Sequence, residues 1–175
     1  ICRAEMASSR RGKVAPNKLF SHDGNLNDMK ERMESTTEAL EFMMTKIEAL
    51  GVEAEQLCKR HFDFVMAENK NKEWENRSAL YPVTRVRGYG LTANWYEVKW
   101  YGNKAAGTRR MNKKLIHKPK AGHSYTIAKL ESHSQPWEVD MVREIEAGLA
   151  EIRRKAAIAS KTLSLLNQFN RLESK

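Results

Sequence analysis

Apolar residues recur every three or four positions along two long segments of the chain, which flank a segment with a different pattern. This spacing puts the apolar side chains on one face of a helix, and its heptad form is typical of coiled coils. It predicts an N-terminal helix or helices over residues 26–77 and a C-terminal helix over residues 134–173. The first apolar face consists of Leu26, Met29, Met33, Thr36, Leu40, Met43, Ile47, Leu50, Ala54, Leu57, His61 and Phe64, and the second of Val142, Ile145, Leu149, Ile152, Ala156, Ala159, Leu163, Leu166 and Asn170.

The pairing of these two helices stays open at this level. They can pack on each other as an antiparallel hairpin or pair with a second copy of the chain, and we expect both arrangements, in a homodimer. Asn170 lies on the second apolar face, where a polar residue can fix the register of two helices. Gly51 lies off the first apolar face and predicts a kink or a break in the N-terminal helix.

Residues 80–130 have the alternating pattern of β-strands. Within residues 94–101, Tyr96, Val98 and Trp100 fall on one face, and polar residues fall mostly on the other. The predicted strands cover residues 83–89, 94–101 and 108–117, with a short fourth strand over 125–130. The fold class is therefore α+β, with long heptad-patterned N- and C-terminal helices flanking a small antiparallel β-sheet of three to four strands.

Positive charge is concentrated in the same segment. Residues 81–130 contain eleven Lys and Arg residues and a single acid, Glu97, so the segment carries a net charge of +10 against +9 for the whole chain. It also contains seven of the nine Trp and Tyr residues. Basic residues interleaved with aromatic ones suit nucleic acid better than a membrane or an acidic small molecule. We expect Trp95, Tyr96, Trp100 and Tyr125 to be core residues.

Side-chain chemistry selects the residues that can hold DNA. Arg and Lys contact phosphates, Arg also reads guanine, and Asn bonds adenine in the major groove, but which residue takes which role stays open. The predicted DNA-binding residues are Arg85, Arg87, Asn94, Lys99, Lys104, Arg109, Arg110, Asn112, Lys113, Lys114, Lys118 and Lys120. Residues 1–25 are predicted to form a flexible basic arm, whose further candidates for phosphate contacts are Arg10, Arg11, Lys13 and Lys18.

Several other classes of protein are not indicated. The five histidines form no HxH or HExxH motif, no nucleotide-binding loop occurs, and a segment with one acid in fifty residues offers no paired carboxylates. No enzymatic activity, metal or cofactor is therefore predicted. The two cysteines, Cys2 and Cys58, indicate no disulfide framework, and no apolar run approaches the roughly 18 residues that span a bilayer, so a cytoplasmic location is expected.

Four stretches of the chain resemble the MobI-type conjugative transfer proteins of large mobile elements. They are Asn-Trp-Tyr-Glu-Val-Lys-Trp-Tyr at 94–101, Gly-His-Ser-Tyr-Thr-Ile-Ala-Lys-Leu at 122–130, Gln-Pro-Trp-Glu at 135–138 and Ala-Glu-Ile-Arg-Arg-Lys-Ala-Ala at 150–157. The resemblance covers roughly residues 55–172 and rests on the order of these stretches. It implies an auxiliary mobilisation factor, needed for transfer from the origin of transfer and acting beside a relaxase that cuts the DNA.

The basic sheet and the resemblance together predict a DNA-binding accessory protein that recognises double-stranded DNA at the origin of transfer. Its expected partners are that DNA, the relaxase or other proteins of the nicking complex, and a second copy of the chain. Two alternatives stay open. One is a transcription regulator of a mobile element that uses the same surface on an operator, and the other is a coiled-coil adaptor that binds a partner protein.

Overall fold

The computed structural model describes residues 26–103 and 105–173; the predicted arm at 1–25 and the predicted DNA contact Lys104 lie outside this part of the chain. The described residues form three α-helices and three strands in the order α1 (Leu26–Asn69), β1 (Leu80–Arg87), β2 (Gly90–Tyr101), β3 (Arg110–Leu115), α2 (Ile127–Glu131) and α3 (Val139–Glu173). Single 3-10 turns at Trp74–Asn76 and Pro136–Glu138 precede β1 and α3. The prediction of an α+β fold with an antiparallel sheet is confirmed.

The three strands lie in the order β1-β2-β3, and both neighbouring pairs are antiparallel. Strand β2 is longer than β1 and extends beyond it. The β1–β2 pairs end where Leu80 lies opposite Glu97, whereas the β2–β3 pairs continue until Tyr101 lies opposite Arg110. The sheet therefore narrows to two strands. We call residues 98–101 together with 110–113 the two-stranded end; Lys114, opposite Glu97, lies at its base.

Helices α1 and α3 pack against each other in an antiparallel pair within one chain. Ile47 packs with Ala159 and Leu163, while further along α1 the guanidinium of Arg60 pairs with Glu144 at 2.7 Å. Residue numbers thus rise along one helix as they fall along the other. The apolar face of α3 from Val142 to Leu163 is buried in this packing and against the sheet.

Helix α1 is continuous through Gly51, so the predicted break into two helices is wrong. A Cβ atom at Gly51 would lie 2.5 Å from Cγ2 of Val86, near the end of β1. The glycine is needed because the strand approaches the helix closely at this point. A glycine inside a helix signals such an approach as readily as a break.

The main core lies between the sheet and the helix pair. The strands contribute Leu80, Ala93 and the fully buried Trp95, and α3 contributes Ile145 and Leu149 among others. Core positions are confirmed for Trp95 and Tyr125, whereas Tyr96 is half-buried. The core prediction is wrong for Trp100, which is 47% exposed, because it lies on the two-stranded end, beyond the residues that β1 and the helices cover.

A buried ion pair connects α3 to the sheet. The guanidinium of Arg153 donates two hydrogen bonds to the carboxylate of Glu146, at 2.9 and 3.0 Å, and a third to the backbone oxygen of Ala93 at 2.8 Å. The same carboxylate accepts hydrogen bonds from Nε1 of Trp95 and from the backbone N–H of Tyr125, both at 2.7 Å. Each oxygen of the Glu146 carboxylate therefore accepts two hydrogen bonds, which compensates for burying its charge.

The predicted fourth strand at 125–130 is wrong, because residues 127–131 form helix α2. The backbone N–H groups of Lys129 and Leu130 both donate to the carbonyl of Thr126, and that of Tyr125 donates to Glu146. These backbone donors thus have local or side-chain partners in place of a strand neighbour. Across the described residues, none of the helices has a stretch long and apolar enough to cross a membrane.

Candidate nucleic-acid interface

The strand register divides the basic residues between two faces of the sheet. One face carries Leu80, Ala93 and Trp95 and packs on the helices. Because side chains alternate along a strand, the same face continues past Glu97 onto the two-stranded end, where the helices no longer cover it. The side chains exposed there are Lys99, Tyr101, Arg110, Asn112 and Lys114.

The opposite face, which we call the outer face, combines basic and aromatic side chains. Trp100 lies opposite Met111 and is 47% exposed, and Tyr96 lies between Tyr81 and Leu115. Four of the predicted DNA-binding residues belong to this face by strand alternation, namely Arg85, Arg87, Asn94 and Lys113. Both faces are exposed at the two-stranded end, so cations are available on both sides of it.

Three of the predicted DNA contacts, Asn94, Lys118 and Lys120, differ in how free their side chains are to bind DNA. Lys118 donates to the backbone oxygens of Pro119 and Gly122, and so holds the loop after β3 together. Asn94 accepts a hydrogen bond of 3.4 Å from the hydroxyl of Tyr125, which links it to the buried network. Lys120 is exposed in the same loop as Lys118. Structural partners therefore compete with DNA for Asn94 and Lys118.

Carboxylates leave most of these cations unpaired. Of the predicted cations in the described part of the chain, Lys99 alone has a carboxylate within 4.0 Å, that of Glu97 at 3.5 Å. The ion pairs of the helices are formed by other residues, such as Arg60 with Glu144 and Arg143 with Glu131. The positive charge of the sheet is thus not neutralised by carboxylates of the described helices.

A cluster of stacked cations and aromatic rings borders the outer face. The guanidinium carbon of Arg109 lies 4.4 Å from the ring centre of Trp100 and 5.1 Å from that of Trp74. Arg77 lies 5.9 Å from the Trp74 ring, and Nζ of Lys113 lies 4.8 Å above the ring of Tyr81. We call Trp74, Arg77, Tyr81, Trp100, Arg109 and Lys113 the stacking cluster; it borders a groove of about 570 Å³.

Trp74 and Arg77 are not among the predicted DNA-binding residues, because they lie in a polar stretch within the predicted N-terminal helix at 26–77. The 3-10 turn at Trp74–Asn76 brings them to the edge of the sheet. A tryptophan isolated among polar residues, just ahead of a basic strand, is the signal that could have found this part of the interface.

Burial shifts the pKa of several titratable groups in the described residues. Burial lowers the pKa of His61 to about 4; its ring lies edge-on to Trp95, with 5.1 Å between ring centres. Burial also raises the pKa of Cys58 to about 11 and the pKa of Glu138 above its ordinary value. Within the described residues, no three His, Cys, Asp or Glu side chains come together as a metal site.

The geometry defines a small α+β protein whose sheet has an uncompensated cationic surface with exposed aromatic rings. A family model described as "MobI protein" matches residues 50–167, from the middle of α1 to near the end of α3. The chain belongs to the MobI family, as the resemblance predicted, and the match covers the whole sheet. The family indicates a mobilisation protein of conjugative transfer. No curated protein and no solved structure matches the chain.

Proposed function

We propose that the protein is a non-enzymatic accessory factor of conjugative transfer that binds double-stranded DNA at the origin of transfer and assists the relaxase. The observation that carries this proposal is the set of exposed, unneutralised cations on the two-stranded end, above all Arg110 and Lys114. Family membership supports the mobilisation role. DNA recognition rests on the surface alone.

The shape of the two-stranded end suits the major groove. Two neighbouring strands lie about 5 Å apart, and a major groove about 12 Å wide admits a two-stranded ribbon. Arg110 and Asn112 alternate with Met111 and therefore lie on one face, from which an Arg can bond guanine and an Asn can bond adenine. Lys99 and Lys114 lie beside them and contact phosphates in this arrangement.

A gel-shift comparison at physiological salt tests this proposal. The wild-type protein is expected to bind a duplex from the origin of transfer more tightly than a promoter duplex of equal length, and Arg110→Glu/Lys114→Glu should abolish that binding. Tighter binding to the promoter would favour the alternative of a transcription regulator. Binding that the charge reversal leaves unchanged would favour the adaptor and contradict the proposal.

Assistance to the relaxase has a separate test. Nicking of origin DNA by purified relaxase is expected to increase when the wild-type protein is added, but not when Arg110→Glu/Lys114→Glu is added at the same concentration. The protein without relaxase should produce no nick. An unchanged rate with the wild-type protein would contradict the accessory role, and a nick without relaxase would contradict the non-enzymatic one.

We also propose that the protein is a homodimer paired through the helices. Leu91 of β2 packs near Ile47 of α1, which in turn packs on Leu163 of α3. From this contact α1 extends back to Leu26, about 30 Å, and α3 extends on to Glu173, about 15 Å. Exposed apolar side chains are found along these extensions, namely Phe42, Leu165, Phe169 and Leu172. A second copy would remove them from water.

A further inference from the structure

We propose that the stacking cluster is a second nucleic-acid site, which binds the unpaired bases of single-stranded DNA. The inference goes beyond duplex binding, because it concerns the groove beside the outer face, whereas Arg110 and Lys114 lie on the other face of the sheet. Its main residues are Trp74 and Trp100, neither of which the duplex site uses.

The two tryptophans present ring surface to solvent although they are already stacked. Arg109 lies between them, and yet Trp74 remains 55% exposed and Trp100 47% exposed. Burying a tryptophan ring is strongly favourable, so two large rings left in water at one site indicate a ligand surface. A stack that only held the loop before β1 against the sheet would need the ring surface facing Arg109 and no more.

The groove has the charge that a nucleic acid requires. Its floor is apolar and includes Val98 and Met111, and the charged residues that line it are Arg77, Arg109 and Lys113. All three are cations, and none of the described residues that line the groove carries a carboxylate. Nucleic acid is complementary to this combination, because aromatic rings stack on bases and cations bind phosphates.

Unpaired bases fit this site better than a duplex or a peptide does. In a duplex the faces of the bases are stacked on each other, so an indole ring cannot reach them, whereas a single strand exposes every base face. A partner peptide could also fill an apolar groove. The outer face, however, continues from the groove toward Arg85 and Arg87, and so offers further cations for the phosphates of a longer strand.

Fluorescence anisotropy with a labelled thymidine oligomer of about 12 nucleotides tests the proposal. Each of Trp74→Ala and Trp100→Ala is expected to weaken binding by roughly 5- to 100-fold, while Trp100→Phe, which keeps an aromatic ring, should lose less. The control Val52→Ala removes an equally exposed apolar side chain from α1, outside the groove, and should change nothing. An oligomer of the same length without bases should bind wild-type protein no better than the tryptophan variants bind thymidine.

Further measurements separate this site from the duplex site. Arg110→Glu/Lys114→Glu should keep most of its affinity for the oligomer, and the tryptophan variants should keep theirs for duplex DNA. Circular dichroism confirms that each variant is folded. The proposal is overturned if folded tryptophan variants bind the oligomer like the wild type, if the oligomer without bases binds equally well, or if the tryptophan variants lose duplex affinity to the same extent.

Discussion

At the scale of single residues, the buried pair of Glu146 and Arg153 is the interaction that ties the sheet to α3. Both side chains lie next to apolar positions of α3, Ile145 and Ile152, and they are separated by two helical turns. The sequence pattern identified the apolar neighbours but not the pair, because an acid and a base at this spacing are as typical of a solvated helix face. Only the close approach of Trp95 and Tyr125 makes them buried partners.

Replacing Glu146 with Gln should therefore be costly. The change leaves the charge of Arg153, whose side chain is 7% exposed, without its counter-ion, and breaking a buried pair in this way costs about 3–5 kcal/mol of unfolding free energy. Urea unfolding monitored by circular dichroism measures the loss. The control Glu151→Gln breaks the exposed pair with Arg154 on the same helix and should have little effect. Equal losses in the two variants would contradict this role.

His61 predicts how stability changes with pH. Its ring is fully buried, and neither ring nitrogen has a hydrogen-bond partner among the described residues. Because burial lowers its pKa from 6.5 to about 4, the unfolded chain binds a proton between these pH values that the folded chain does not. The unfolding free energy should fall as pH decreases from 6.5 to 4, by roughly 3 kcal/mol in total.

Urea unfolding at several pH values checks this expectation, with His61→Leu as the comparison. The variant should lack the part of the pH dependence that lies between 6.5 and 4. Glu138 contributes in the opposite sense in both proteins, because its raised pKa makes the folded chain hold a proton longer as pH rises above 4.5. Identical pH profiles for the variant and the wild type would show that His61 is not the titrating group.

At the scale of elements, the sequence was informative wherever one periodicity was sustained. The alternation in residues 94–101 correctly separated Trp95 from Tyr96 and Trp100, because side chains of a strand must alternate. It could not tell which face the helices cover, or that β2 would be longer than β1. The segment 125–130 is too short for its apolar pattern to distinguish a strand from a helix. Hydrogen bonds to the carbonyl of Thr126 and the carboxylate of Glu146 stabilise the helical turn that forms there.

The two-stranded end predicts a specific salt dependence of duplex binding. If six to ten cations contact phosphate, affinity should fall by roughly 10³- to 10⁵-fold between 50 and 200 mM salt. Lys99→Ala and Lys114→Ala should each reduce the slope of log affinity against log salt by about one, because each removes one phosphate contact. Fluorescence anisotropy over a salt series measures the slope.

Lys161→Ala is the matched control for these variants, because it removes one exposed charge from α3 and none from the sheet. Its slope should equal that of the wild type. A reduction as large as that of Lys114→Ala would mean that affinity follows the net charge of the molecule and not the contacts of the two-stranded end.

At the scale of the whole molecule, the packing of α1 against α3 determines which apolar side chains are left to pair with a second copy of the chain. The chain satisfies much of its helical pattern internally, since the apolar face of α3 is buried within one chain. From the sequence alone we expect this arrangement together with pairing between two chains, because periodicity cannot separate the two. The apolar side chains that remain exposed, such as Leu165 and Phe169, lie toward the C-terminal end of α3.

The proposed homodimer predicts a mass of twice the 20.2 kDa of one chain in light scattering after size exclusion. Leu165→Glu/Phe169→Glu places two charges at the proposed contact and should give a monomer that is still folded, because both side chains are about half exposed in the single chain. Val52→Glu/Met66→Glu adds the same charges at exposed apolar positions of α1 that lie on the other side of Ile47 from that contact, and should remain a dimer. A dimer related by two-fold symmetry presents two sheets, so it should protect two half-sites on origin DNA, and the monomeric variant one. A wild-type monomer, or a dimer that both double variants leave intact, would contradict pairing through this end of the helices.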